Sequence, residues 1–268
     1  MIMAARIALG HVQAVLVDLS GTLHIGNIAT LGAVEALSKL QNSHLKVKFV
    51  TNTTKESVSS LHNRLLNIGF NIDKSEIYSS LTAVRNYLIE NKYKPFLMLS
   101  DDAEKDFVGL EMENPNAVVM GLSPTHFQYD TMNTAFHLLM NGCPLIAINK
   151  ARYYQATKGL LLGTGAFVEA LEYASGTKAV VIGKPDKTFF LGAAKSIGCE
   201  PAECVMIGDD VKDDVLGAIN SGMQGILVKT GKYREGDEQN ISQSLSNFIV
   251  SNNFADAVDI ILKTMSSK

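Results

Sequence analysis

Five short runs of almost uninterrupted apolar residues punctuate the chain: Val12–Val17, Val47–Val50, Ala179–Ile182, Cys204–Ile207 and Gly225–Val228. Each is too short for a buried helix and too apolar for a strand with one wet face. They read as strands covered on both sides, the pattern of a parallel sheet. Helical stretches lie between them at Gly32–Gln41, Ser57–Ile68, Pro185–Ile197 and Val211–Ser221. In the second of these, Leu61, Leu65 and Ile68 recur at helical spacing, and Gly69 is a natural stop. Strand and helix in alternation predict an α/β fold, a doubly wound parallel sheet with helices on both faces. The middle of the chain carries its own strand candidates (Phe96–Leu99, Ala117–Leu122, Leu145–Asn149) and a helix candidate, Pro124–Met140. That stretch is long enough for a separate α/β domain. The expected division is residues 1–80 with 182–268 as a discontinuous core, and residues 81–181 as an inserted domain.

Four of the runs end in residues that a strand end does not ordinarily need. The first leads into Asp18-Leu-Ser-Gly-Thr22, the second into Thr51-Asn-Thr-Thr54, and the third into Gly183-Lys-Pro185. The fourth leads into Gly208-Asp-Asp210, with Asp213 and Asp214 behind. Each tip alone has a plain structural reading: Asp18, Thr51 and Asn52 as caps, Lys184 as a surface cation. Taken together, they would deliver carboxylates, a hydroxyl, an amide and a lysine to the crevice beyond the strand ends, where open α/β sheets bind ligands. Asp18 and Asp209 are hard oxygen ligands suited to Mg²⁺, which would also relieve their repulsion and neutralise a phosphoryl group. Thr51, Asn52 and the backbone N–H groups of the Leu19–Thr22 turn would hold phosphoryl oxygens. Lys184 would place a compact charge beside the nucleophile. Asp214, one helical turn beyond Asp210, would orient the metal's waters, whereas Asp213 points about 100° away and reads as solvated or capping.

The balance of 46% hydrophobic and 19% charged residues, with a formal net charge of -3, gives no field that would attract nucleic acid or an anionic membrane. An anionic substrate would therefore depend on local cations or a metal. Three widely spaced cysteines, Cys143, Cys199 and Cys204, form no disulfide framework. With no secretory signal pattern at the start, a reducing, cytoplasmic setting is expected.

In order and spacing these segments resemble the four motifs of the haloacid dehalogenase superfamily. The insertion resembles the α/β, C2-type cap of its NagD-like branch, most clearly at Gly163-Thr-Gly-Ala-Phe-Val-Glu-Ala-Leu-Glu-Tyr-Ala-Ser-Gly176 shortly before Gly183-Lys-Pro185. The resemblance implies a Rossmann-like core and an aspartyl-phosphate mechanism. Asp18 would be the nucleophile, Thr51 the phosphate-binding hydroxyl, Lys184 the catalytic lysine, and Asp209 and the Ser20 carbonyl would bind Mg²⁺. It also implies a small phosphorylated substrate, a phosphoramino acid included, and a homodimer formed through the cap. Gly163-Thr-Gly165 lacks the third glycine and the later acid of a dinucleotide site and reads as a turn into a helix. Lys150, Arg152 and Lys158 fit either a contact to an anionic substrate from the insertion or a solvated face.

One departure matters. Most phosphatases of the superfamily carry a second aspartate two positions after the nucleophile, to protonate the leaving group and later activate water. Here that position is Ser20. Its carbonyl remains a metal ligand, but its hydroxyl is no acid near neutral pH, and losing such a group costs on the order of 10²–10⁴-fold. Good leaving groups are therefore expected: pyrophosphate, phosphoramidates and aryl phosphates. The alternatives are a metal- and phosphate-binding module with negligible turnover, and hydrolysis of carbon–halogen bonds or phosphonates.

Overall fold

The computed structural model describes residues 9–156, 159–240 and 247–266. These divide into two compact units, one made of residues 1–51, 62–78 and 184–268, the other of 52–61 and 79–183. The segment 52–61, which follows the second strand tip directly, is thus counted with the second unit.

The chain opens with β1 (Ala14–Asp18), a small hairpin of β2 (His24–Ile25) and β3 (Ile28–Ala29), α1 (Ala33–Gln41), β4 (Lys46–Thr51), α2 (Val58–Ile68) and β5 (Ile77–Ser79). It continues through α3 (Ser80–Glu90), β6 (Pro95–Met98), α4 (Asp101–Glu104), β7 (Ala117–Met120), α5 (Tyr129–Met140) and β8 (Leu145–Ala147). Then come β9 (Tyr153–Ala156), β10 (Gly159–Leu162), α6 (Thr164–Ser175) and β11 (Val180–Val181). The return to the first unit brings α7 (Lys187–Ser196), β12 (Cys204–Gly208), a π-helical turn at Val211–Leu216 that runs into α8 (Gly217–Asn220), β13 (Gln224–Val228), β14 (Phe248–Ser251) and α9 (Phe254–Ser266).

The first unit is built on a six-stranded sheet in the order β14-β13-β12-β1-β4-β5. Neighbours from β14 to β4 run parallel, with Val15 of β1 opposite Val205 on one side and Val47 on the other. Every residue of β1 and β12 is buried, which is why these strands read as unbroken apolar runs rather than alternating ones. Helices flank the sheet, α1 against α9 and α7 against α8. Helix α1 turns Ala33, Ala36, Leu37 and Leu40 inward at helical spacing. The sheet starts in the middle: β1 is followed outward by β4 on one side and by β12 on the other. The chain therefore diverges from the carboxyl ends of β1 and β12, and an open sheet leaves its crevice at that switch point.

The second unit carries a four-stranded parallel sheet, β11-β8-β7-β6, and an antiparallel pair, β9 with β10. Its core joins Val118, Met120, Leu145 and Ala147 of the sheet to Ala135 and Leu139 of α5 and Val168 and Leu171 of α6. Phe127 and Phe167 stack with centroids 3.7 Å apart. The third apolar run, expected to be a doubly buried strand beside the others, shortens to β11. It pairs with β8 in the second unit and is only partly buried. Its mixed environment follows from its place at a sheet edge, where only one neighbour covers it.

Candidate active site

Asp18 is the last residue of β1 and Asp209 directly follows β12, so the adjacent ends of two parallel strands deliver both acids to the switch point. Lys184 comes from the connection after β11, ahead of the cis bond to Pro185, rather than from a strand of this sheet. Asp214 lies in the π-helical turn that follows Asp210. All four side chains are buried.

The lysine is the hub. Its Nζ donates to Asp18 Oδ1 at 2.5 Å and to Asp214 Oδ1 at 2.6 Å, with Val50 O at 3.4 Å. Asp214 Oδ2 accepts from the Asp210 N–H at 3.1 Å. The other oxygen of the first acid, Asp18 Oδ2, is enclosed and has no hydrogen-bond partner. Carboxylate oxygens of Asp18, Asp209 and Asp214 lie within 4.8 Å of one another.

Burial alone would lower the Lys184 ammonium, but Asp18 and Asp214 outweigh it and hold the group above the ordinary lysine range. Burial, then repulsion from Asp18, pushes the Asp209 carboxyl up to about 6, against the pull of the Lys232 N–H. Burial also pushes Asp214 upward; Lys184 opposes this, while Asp18 and Asp209 reinforce it. With the three acids ionised, one ammonium leaves two negative charges uncompensated. An all-oxygen donor set, a partnerless buried oxygen and that charge deficit together fit a small hard divalent cation. Asp18, Asp209 and Asp214 are the residues positioned to hold it or its waters.

The other expected residues fall as follows. Thr51 closes β4 and is buried; Leu19 is buried under the turn after β1, and Ser20 is exposed on it. Asn52 is half-buried and is counted with the second unit. Asp210, not Asp213, caps the π-helical turn: its Oδ1 accepts from the N–H groups of Lys212 and Asp213, both at 2.9 Å. Asp213 is half-buried, and burial with the nearby Asp210 pushes its carboxyl upward. In the second unit, Lys150 is held at 2.7 Å by Glu169 and at 2.9 Å by Glu172, so its charge is already paired. Arg152 is exposed, its guanidinium 6.0 Å from the Tyr153 ring. Lys158 lies outside the described residues.

A fifth strand end belongs to the site and was not read from the sequence. After β13, the Lys232 N–H donates to Asp209 Oδ2 at 2.6 Å, and the Thr230 hydroxyl donates to the Gly21 carbonyl at 2.6 Å. Gly21 and Gly231, with φ of 101° and 56°, close on Asp209 so tightly that a Cβ on either would lie 2.0 Å from Oδ2. The signal was present in Thr230-Gly231 following the apolar run Gly225–Val228, but apart from the Thr230 hydroxyl the contribution comes from backbone, and a lone threonine carries no distinctive chemical signature.

Residues 15–112 match the family described as haloacid dehalogenase-like hydrolase, and residues 181–257 match one described as HAD-hydrolase-like. The chain is 55% identical to haloacid dehalogenase-like hydrolase domain-containing protein 2 of Bos taurus over 261 residues, covering 97% of this chain and 99% of that protein. It is 40% identical to the human phospholysine phosphohistidine inorganic pyrophosphate phosphatase, again over 261 residues, covering 95% and 96%. Among solved structures, the 4-nitrophenylphosphatase of Thermotoga maritima superposes with a TM-score of 0.85 at 22% identity, covering 94% of this chain and 98% of that one. NagD of E. coli K-12 gives 0.81 at 24%, covering 91% and 98%. These last two likenesses are likenesses of fold.

Proposed function

The chain belongs to the haloacid dehalogenase-like hydrolases, and on that premise we propose that it is a Mg²⁺-dependent phosphatase whose Asp18 carboxylate accepts the phosphoryl group. The observation that carries this reading is the unequal state of the two Asp18 oxygens. Lys184 grips Oδ1 at 2.5 Å, and Oδ2 is buried without a partner. A purely structural aspartate in such a place would satisfy both oxygens, since an unmet buried acceptor costs about 1–3 kcal/mol.

In the proposed reaction an Asp18 oxygen attacks phosphorus as the bond to the leaving group breaks, and the leaving group departs with that electron pair. Water then attacks the phosphorus of the aspartyl phosphate, releasing inorganic phosphate and restoring Asp18. Lys184 fixes the carboxylate and, with the Thr51 hydroxyl and the N–H groups of the Leu19–Thr22 turn, faces the developing charge on the phosphoryl oxygens. Asn52 is assigned a supporting contact to the same oxygens. Mg²⁺ held by Asp18, Asp209 and the Ser20 carbonyl, with Asp214 orienting its waters, would supply charge neutralisation.

No carboxyl group follows the nucleophile by two residues, because that position is the exposed Ser20. The proposed substrates are therefore those whose leaving group departs without a protein acid: phosphoanhydrides, aryl phosphates, and phosphoramidates whose nitrogen takes its proton from solvent. The relative named for phospholysine, phosphohistidine and pyrophosphate supports that class. Three free thiols accord with a reducing compartment.

The test is hydrolysis of pyrophosphate, phosphoramidate, p-nitrophenyl phosphate and an alkyl phosphate across a Mg²⁺ titration. A steep dependence on leaving-group pKa is expected. A rate insensitive to leaving group would put an acid elsewhere, and no turnover of any substrate would favour a metal- and phosphate-binding module.

A further inference from the structure

We propose that Thr230 and Gly231, with the backbone of Lys232, form a clamp that positions Asp209 for the cation; this rests on the metal reading above. Asp209 stands beside two other buried acids, and repulsion would swing its side chain out of the cluster. Three features of the loop after β13 oppose that swing. The Lys232 N–H donates to Asp209 Oδ2 at 2.6 Å, a short charge-assisted bond that fixes one oxygen while leaving the carboxylate lone pairs for a cation. Gly231 lies directly against the same oxygen, with its Cβ direction 2.0 Å from Oδ2 and 2.4 Å from Gly21 Cα, in a left-handed conformation at φ 56°. The Thr230 hydroxyl then ties the loop at 2.6 Å to the carbonyl of Gly21.

Gly21 is three residues from Asp18 in the turn that also carries Ser20. The clamp therefore binds the nucleophile turn and the acid of β12 into one rigid unit, although the strands that carry them are separate segments of chain. None of the three residues needs to touch substrate. Their role is positioning, and partners of this kind, which orient ligands, typically tune metal affinity by about 10–100-fold.

The experiment is isothermal calorimetry of Mg²⁺ alone binding to metal-free protein, with no substrate present. Unfolding temperature in EDTA is measured alongside. Thr230→Val keeps the shape of the side chain and removes the bond to Gly21. It is expected to weaken Mg²⁺ binding by about tenfold, with Thr230→Ser restoring most of the loss. Gly231→Ala, which drives a methyl group into Asp209, is expected to weaken it further. A residue that merely supports the fold would lower the unfolding temperature in EDTA and leave the Mg²⁺ isotherm in place. Thr230→Val binding Mg²⁺ as tightly as the wild type would overturn the clamp. Wild type that binds no Mg²⁺ at all would instead overturn the metal reading itself. The valine and serine pair decides the question even where Gly231→Ala does not fold.

Discussion

The two units bury charge in opposite ways. In the first, Asp18, Asp209 and Asp214 crowd around one lysine, and burial and mutual repulsion push Asp209 and Asp214 upward. In the second, Glu172 is just as enclosed but is met from all sides. Its carboxylate accepts from Lys150 at 2.9 Å, Lys178 at 3.2 Å and the Ala179 N–H at 2.9 Å. Burial would raise it, yet these partners together hold it at about 2. The contrast separates two uses of a buried acid. One cluster is complete and serves the fold, joining α6 to the segments before and after it. The other is left short of positive charge, which supports the cation of the proposed function.

Substitutions should expose that difference, and the largest effect is on turnover. Asp18→Asn is expected to reduce phosphatase activity by at least about 10³-fold while leaving the fold intact, as measured by steady-state rates and circular dichroism. Opposite signs of stability should follow at the two clusters. Asp209→Asn removes one repelling charge and is expected to raise the stability of the metal-free protein by about 1–3 kcal/mol. Glu172→Gln removes the buried charge that Lys178 and the Ala179 N–H share with Lys150, leaving Lys150 to Glu169 alone, and is expected to lower stability by a similar amount. Urea denaturation in EDTA measures both, and a loss at both positions would erase the distinction.

The pH dependence sharpens it further. Glu172 sits at about 2 in the folded chain, below the roughly 4.3 of an unfolded glutamate. Its contribution is therefore present above about pH 4.3 and is lost as pH falls toward 2. Glu172→Gln should flatten that part of the acid limb, seen as a smaller difference from wild type at pH 3 than at pH 6. The smallest effect concerns the missing acid. Ser20→Asp is expected to raise turnover of alkyl phosphates by about tenfold or more relative to aryl phosphates, judged by the slope of rate against leaving-group pKa.

Much of the first cluster was legible because its strands are buried on both faces and its polar tips interrupt them sharply. Asp18 and Asp209, which the fold brings together, stand out by that contrast, as does Thr51 at the end of β4. Lys184 could be singled out but its route could not, since Val180–Val181 reads as apolar whichever sheet it joins. The ion pairs of Lys150 are not legible in the sequence, because Glu169 and Glu172 lie about twenty residues on and only the packing of α6 brings them to it. The contacts of the Lys232 N–H, Gly21 and Gly231 to Asp209 are illegible in the sequence for a different reason: they act through backbone position, to which side-chain chemistry gives no clue.

In the proposed mechanism Asp18 itself takes the phosphoryl group, and the direct measurement is to trap it. Turnover of phosphoramidate or p-nitrophenyl phosphate would be stopped in acid and the digested protein analysed by mass spectrometry. A hydroxylamine-sensitive phosphoryl adduct on the peptide containing Asp18, absent from Asp18→Asn, is the predicted result. Full turnover by Asp18→Asn, or an adduct on any other residue, would contradict it.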